Sequence, residues 1–321
     1  GDDKWNTSGH NFIYIAIRRP MKTPESGTEV FALQDPGYPV DSNGLAFTSG
    51  FPVDFALLKE RTNSTDGWYT MSRMQGNGNY MKTNSTAAET SGVSYGTFDH
   101  NTGWYSTASA SMSWMFKRAT GFFDVVAYTG DGTYGDLNHN LGVLPEMIIV
   151  KRRDGVQDWF VWHEGQGAVN SNQRLNRTNA VDLDYLYFNS TANTVITFRA
   201  GRTIYSYLDD YVAYLFASVD GVSKVGSYTG TGSNVDVDCG FSAGARFILI
   251  KRTDSTGDWY VWDSERGIVA GNDPYLLLNR TDAEVTNTDY IDPLNAGFTV
   301  TSSAPAALNA SGGNYIFLAI A

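Results

Sequence analysis

The 321-residue sequence contains one cysteine, Cys239, and four histidines. A single thiol excludes an intrachain disulfide framework and a thiolate-rich metal cluster, and Cys239 reads as a small buried hydrophobe. His10, His100, His139 and His163 are scattered along the chain. None has a second histidine or a paired carboxylate at ligand spacing, so they read as solvent-facing loop residues. Charge is also scarce: Asp, Glu, Lys and Arg make up 18% of the chain, and acidic residues outnumber basic ones 34 to 23. The resulting net charge of −11 repels phosphate backbones and anionic lipid, so neither nucleic acid nor a membrane surface is an expected partner. No apolar run reaches the ~18 residues of a membrane-spanning helix, and the opening residues lack the charged-then-apolar layout of a secretory signal. There is no nucleophile-elbow, phosphate-loop or zinc-protease motif. Nucleophilic and zinc chemistry therefore lack a starting point, and no enzymatic activity or cofactor is expected.

What the chain does have is glycine and aromatic rings: 33 Gly, 19 Tyr, 17 Phe and 8 Trp. Together with abundant Ser, Thr and Asn, this describes short strands joined by turns, an all-β protein. It also repeats itself. The segment KRRDGVQDWFVW at 151–162 returns as KRTDSTGDWYVW at 251–262, and the longer units that contain them begin at Phe55, Met147 and Phe247, 92 and 100 residues apart. Downstream of each lies an Asn-centred segment (84–89, 176–181, 279–284), then an apolar strand (111–118, 210–217, 314–321). Fixed-period self-similarity of this kind marks tandem domains. The expected units are 31–125, the most divergent, then 126–223 and 224–321. Residues 1–30 read as the closing strand of a preceding unit, NFIYIAIR at 11–18, followed by a linker.

Within a unit the pattern is that of hairpins. In MIIVKR and FILIKR the run of four apolar residues reads as a strand buried on both faces, with its Lys-Arg end marking the exit to solvent. A Gly/Asp turn follows, and the return strand alternates. Trp159 and Val161 fall on one face and Phe160 and Trp162 on the other; Trp259, Val261, Tyr260 and Trp262 repeat the arrangement. Asp158 and Asp258 sit across the turn from the Lys-Arg pairs. Short strands with turn signals every 8–12 residues predict a β-sandwich or jelly roll for each unit.

Taken together, the third-unit markers resemble a repeat of tail-fibre and other virion-surface proteins of tailed bacteriophages, particularly marine ones. They are Gly240–Phe241, Ile250–Lys251–Arg252, Asp258–Trp259, Asp263–Ser264, Arg266–Gly267, Leu276–Asn279, Gly297–Phe298 and Asn309–Ala321. The second unit departs from them at 163–167, where HEGQG replaces DSERG. The resemblance implies sandwiches similar to concanavalin A-like lectin or laminin-G domains. It also implies a non-enzymatic segment at the virion surface, an extracellular setting, that recognises a host-cell glycan or receptor and contacts other virion proteins, as part of a homo-oligomer. The alternatives are a carbohydrate-active depolymerase and a purely structural spacer or capsid-decorating fibre. Scaffold motifs specify fold better than activity.

Candidate residues follow from the differences between units. Rings shared by the units, Trp159, Trp259, Trp162 and Trp262, are assigned to packing. Rings peculiar to one unit, Trp104, Tyr105, Tyr185 and Tyr187, are the candidates for stacking on a sugar. Asp236 and Asp238 in NVDVDCG are weak calcium candidates, because two carboxylates alone make a poor cage. Asp263 with Glu265, and Asp182 with Asp184, read as solvated positions and not as a hydrolytic pair. Asn84, Asn176 and Asn279 each begin an N-x-S/T triplet at an equivalent position, where Asn is expected to turn the chain by bonding its own backbone.

Overall fold

The strand-forming runs fold as antiparallel strands, and the four apolar residues of each unit's first hairpin strand become the centre of a sheet. The computed structural model describes residues 21–35, 46–92, 96–107, 111–132, 135–167, 170–183, 188–198 and 204–321. The 11–18 segment lies outside them. Secondary structure among the described residues is nearly all β, with one four-residue α-helix, Ala306–Asn309, and two 3₁₀ turns.

Three main sheets share one strand order. In the third it runs Ser223–Thr229, Asn314–Ile320, Phe247–Arg252, Trp259–Asp263, Leu276–Leu277. In the first, Phe31–Gln34, Met112–Phe116, Phe55–Lys59, Tyr69–Ser72 and Met81–Lys82 take the same places. The second runs Phe123–Thr129, Asp210–Phe216, Met147–Arg152, Phe160–His163, Ser171–Arg174 and adds Asp182–Leu183 at its edge. Smaller antiparallel sheets cover one face of each, for example Val235–Asp238, Gly297–Val300 and Ile291–Leu294 over the third. The result is a set of β-sandwiches.

The uncovered faces of the main sheets face one another. Phe55 and Leu57, Met147 and Ile149, and Phe247 and Leu249 all enter a single shared core. Their neighbours Ala56 and Leu58, Ile148 and Val150, and Ile248 and Ile250 enter three separate cores under the small sheets. Strand alternation therefore buries both faces of each return strand: Trp259 and Val261 point into the shared core, and Tyr260 and Trp262 into the private one. A void of about 40 Å³ remains at the centre, lined from all three sheets by residues such as Phe55, Ile149 and Leu249. The hydroxyls of Thr70 and Thr83 at its wall are turned away onto Met81 O and Leu278 O.

Polar groups around this core connect the sheets in a ring. Trp68 Nε1 donates to Leu277 O at 2.9 Å, Trp159 Nε1 to Lys82 O at 3.0 Å, and Trp259 Nε1 to Arg174 O at 3.0 Å. First reaches third, second reaches first, third reaches second. The equivalent lysines follow the same circuit: Lys59 Nζ to Thr281 O, Lys151 Nζ to Thr86 O, Lys251 Nζ to Thr178 O. Backbone amides bridge the same three pairs of sheets in the opposite sense, Glu284 N to Arg61 O, Glu89 N to Arg153 O and Val181 N to Thr253 O. The strand ends expected to exit to solvent are thus corrected. All three lysines are fully buried, and burial pulls Lys151 and Lys251 down to about 8, because an ammonium surrounded by carbonyls has lost its water.

Further expectations change for the same reason, that inter-sheet burial is invisible locally. His139 and His163 are buried. His163 accepts from Gly165 N through Nδ1 at 3.0 Å and donates through Nε2 to Phe317 O at 3.2 Å, a neutral tautomer. Asp263 is fully buried; it pairs with Arg266 at 2.7 Å and accepts from Trp114 Nε1 of the first sheet at 3.1 Å. Glu265 is exposed. Cys239 is buried, as expected of a small hydrophobe.

Candidate functional site

In each unit the second residue of the Trp-aromatic pair on the return strand lies opposite a residue of the following strand, and that pairing sets what packs against the ring. Tyr69 pairs with Lys82, Phe160 with Arg174, and Tyr260 with Leu277. In the first unit Lys82 Nζ sits 4.5 Å from the Tyr69 ring centroid and 3.0 Å from Asp66 Oδ1. In the second, the Arg174 guanidinium lies 4.1 Å over Phe160, with its Nε 3.7 Å from Asp158 Oδ2. Each ring is thus covered by a cation of its own chain that is also held by an acid, the usual geometry of a cation–π contact. The third unit brings Leu277 to that position and no charge.

The rings there form a platform. Tyr260 lies 5.7 Å from Trp262 and 5.2 Å from Tyr275, and Tyr275 lies 5.7 Å from Tyr290. Asp273 positions it from beneath, accepting from Trp262 Nε1 at 2.9 Å, Tyr290 N at 2.8 Å and Ile291 N at 3.0 Å. Burial pushes the Asp273 carboxyl up to about 7 against the pull of these donors. Tyr275 and Tyr290 are half-buried, and none of the hydroxyls of Tyr260, Tyr275 and Tyr290 is hydrogen-bonded within the described protein. Burial raises the Tyr260 and Tyr275 phenols above their ordinary range, so they remain protonated donors.

The rim is polar. Asp258 Oδ1 accepts from Asn279 Nδ2 and from Arg280 Nε, both at 2.7 Å, while Oδ2 has no hydrogen-bond partner among the described residues. Arg280 also borders an open groove of about 440 Å³ lined by Asn176, Arg177, Thr178, Asn179, Asn279 and Arg280. The Asn-Arg-Thr loops of the second and third units form its walls. The asparagines do not close their own turns as expected. Asn176 Oδ1 accepts from Trp159 N and Asn279 Oδ1 from Trp259 N, and their amides donate to Asp158 and Asp258. They tie the loop to the hairpin because each loop packs beside the return strand. The hairpin acids accordingly pair with Arg177 and Arg280, not with the Lys-Arg ends of the preceding strands.

The residues singled out from sequence lie elsewhere. Trp104 is fully buried, with its ring stacked between Phe47 at 5.4 Å and Phe98 at 5.4 Å and its Nε1 donating to Ser113 Oγ at 3.1 Å. Both ring faces are occupied by protein, which corrects its assignment to sugar stacking. Tyr105 is half-buried beside the same core. Tyr185 and Tyr187 lie outside the described residues. Asp236 and Asp238 are exposed on one strand; Asp236 accepts from Thr299 Oγ1 and Asp238 from Gly240 N. No group of three metal-ligating side chains occurs among the described residues.

Sequence reading passes over the platform because Tyr260 lies on the recurring return strand, whose shared rings Trp159, Trp259, Trp162 and Trp262 are assigned to packing. The available signal is the pairing partner: Lys82 and Arg174 against Leu277. Residues 102–321 match the family described as Domain of unknown function (DUF7483). Comparison with curated proteins gives no match.

Proposed function

We propose that this chain, which belongs to the DUF7483 family, is a non-enzymatic recognition segment of a virion surface or tail fibre that binds a host-surface glycan at the third-unit platform and its groove. The observation that carries the reading is the combination of an aromatic ladder and unbonded hydroxyls beside a polar groove. Sugars present apolar C–H faces that stack on flat rings, and hydroxyls that need donors and acceptors in fixed places. Tyr275 and Tyr290, both half-buried, supply both, while Tyr260 is buried in the private core and supports them. Asn, Thr, Asp and Arg side chains of the rim supply the directional bonds.

The virion assignment is supported by the resemblance of the repeat, and the glycan by the platform. The test is a glycan array probed with the parent chain and with Tyr275→Ala and Tyr290→Ala. Binding by the parent, reduced in both variants with melting nearly unchanged, is the expected result. A parent chain that binds nothing on the array, or variants that bind as the parent does, overturns the assignment of the site.

A further inference from the structure

Two of the three Asn-centred loops carry an arginine directly after the asparagine, and both arginines line the same groove. We propose that this groove binds the carboxylate of an acidic sugar, a uronic or ulosonic acid. The inference rests on the glycan reading above and names the class of saccharide.

The lining of the groove, from Asn176 to Asn179 with Asn279 and Arg280, contains no carboxylate and no aromatic ring. A chain in which acidic residues outnumber basic ones 34 to 23 thus places two exposed arginine side chains, 58% and 48% accessible, in one depression. The first unit has Ser85 at the equivalent position, where its hydroxyl accepts from Ala87 N. The paired guanidiniums therefore belong to the junction of the second and third loops.

Each guanidinium is aimed by the acid of its own hairpin. Arg177 Nε and Nη2 lie 3.1 and 2.7 Å from the two oxygens of Asp158, which occupies one edge of the fork and leaves Nη1 without a partner among the described residues. Arg280 Nε donates to Asp258 at 2.7 Å and leaves Nη2 in the same condition. A carboxylate accepts paired N–H bonds from such a fork, and a guanidinium already held in place loses little freedom in making them. Arg280 also acts electrostatically on the phenols of Tyr260 and Tyr275, so the groove and the platform adjoin.

The two acids are the obvious objection, because they offset the positive charge. Both are 15% accessible, each is held by an asparagine amide as well, and neither lines the groove. What faces the ligand is the N–H edge. Donors in contact decide the binding of a single carboxylate, whereas the net charge of −11 acts at longer range and opposes a polyanion. Asp282, 3.9 Å from Arg280 Nη1, is 56% accessible and makes no hydrogen bond to it, so it is free to turn into solvent.

The test measures, by titration calorimetry at neutral pH, the binding of sialyllactose and of cellobiouronic acid, each beside its own methyl ester. At least one acid is expected to bind about tenfold more tightly than its ester, the order of charge-assisted hydrogen bonds at a part-exposed site. A preference confined to sialyllactose identifies an ulosonic acid, and one confined to cellobiouronic acid a uronic acid. The ratio of acid to ester affinity should shrink as salt is raised, and should fall to about one in Arg177→Gln and in Arg280→Gln, with melting nearly unchanged. Acid and ester bound equally by the parent, or a ratio that survives both substitutions, overturns the carboxylate and leaves the glycan site standing. Failure of all four saccharides to bind also overturns the acidic sugar, and the glycan array separates that outcome from failure of the glycan reading itself.

Discussion

Trp259 Nε1 lies 3.0 Å from the carbonyl oxygen of Arg174, so a side chain of the third sheet completes the hydrogen bonding of the second. The same bond recurs from Trp159 to Lys82 and from Trp68 to Leu277. Trp259→Phe keeps most of the apolar contact and removes the donor, leaving a buried carbonyl. A loss of about 1–3 kcal/mol is expected, against about 3–5 kcal/mol for Trp259→Ala. Because the core is shared, urea unfolding followed by fluorescence and by circular dichroism should give one coincident transition. Separate transitions for the three sheets would contradict a common core.

Arg266 and Asp263 are both fully buried in their side chains and 2.7 Å apart. Arg266→Met leaves the carboxylate with Trp114 and a backbone amide for partners, and an uncompensated buried charge typically costs about 3–5 kcal/mol. The double variant Arg266→Met with Asp263→Leu should recover much of that loss. A double variant no more stable than the single one would show that the pair is not the source of the effect.

The sign of the acid response follows from His163. Burial pulls it down to about 4 from an ordinary value of 6.5, so between these values the unfolded chain binds the extra proton. Its contribution to stability is full above pH 6.5 and is lost as the pH falls through about 4. His163→Gln should flatten the parent's stability–pH curve in that window by up to one proton's slope. Parallel curves for the two proteins would remove His163 from the explanation.

Leu208 adopts φ 61° with its side chain exposed, a conformation L-residues with a Cβ avoid. Its amide donates to Gly130 O as Gly312, at φ 76°, donates to Gly230 O in the third unit. Leu208→Gly should therefore stabilise, by about 0.5–1 kcal/mol once the added freedom of the unfolded chain is subtracted from the relieved strain. The measurement is the shift in urea midpoint, and a lowered midpoint would mean that Leu208 makes contacts outweighing its backbone.

Local chemistry and spacing suffice for part of this protein. Alternation along WFVW and WYVW is a property of extended backbone, so it places Trp259 opposite Tyr260 whatever surrounds the strand, and the repeat of Phe55, Met147 and Phe247 announces one hairpin three times. The all-β class and the burial of Cys239 follow in the same way. Which face meets water does not. The three sheets turn toward a common axis, and this buries Lys151 and Lys251, His163 and Asp263, residues that pattern alone assigns to solvent. Each is stable there only because a neighbouring sheet supplies a carbonyl, an indole N–H or a counterion, far away in sequence. Trp104 was a candidate site because its ring is unique to one unit, yet Phe47 and Phe98 close both its faces. The platform was hidden for the opposite reason: Tyr260 is common to the repeat, and only the strand register opposing it to Leu277 instead of a lysine or arginine makes it different. Periodicity is a short-range property of the chain, whereas register and inter-sheet packing join residues that sequence distance separates, and the candidate site belongs to the second kind.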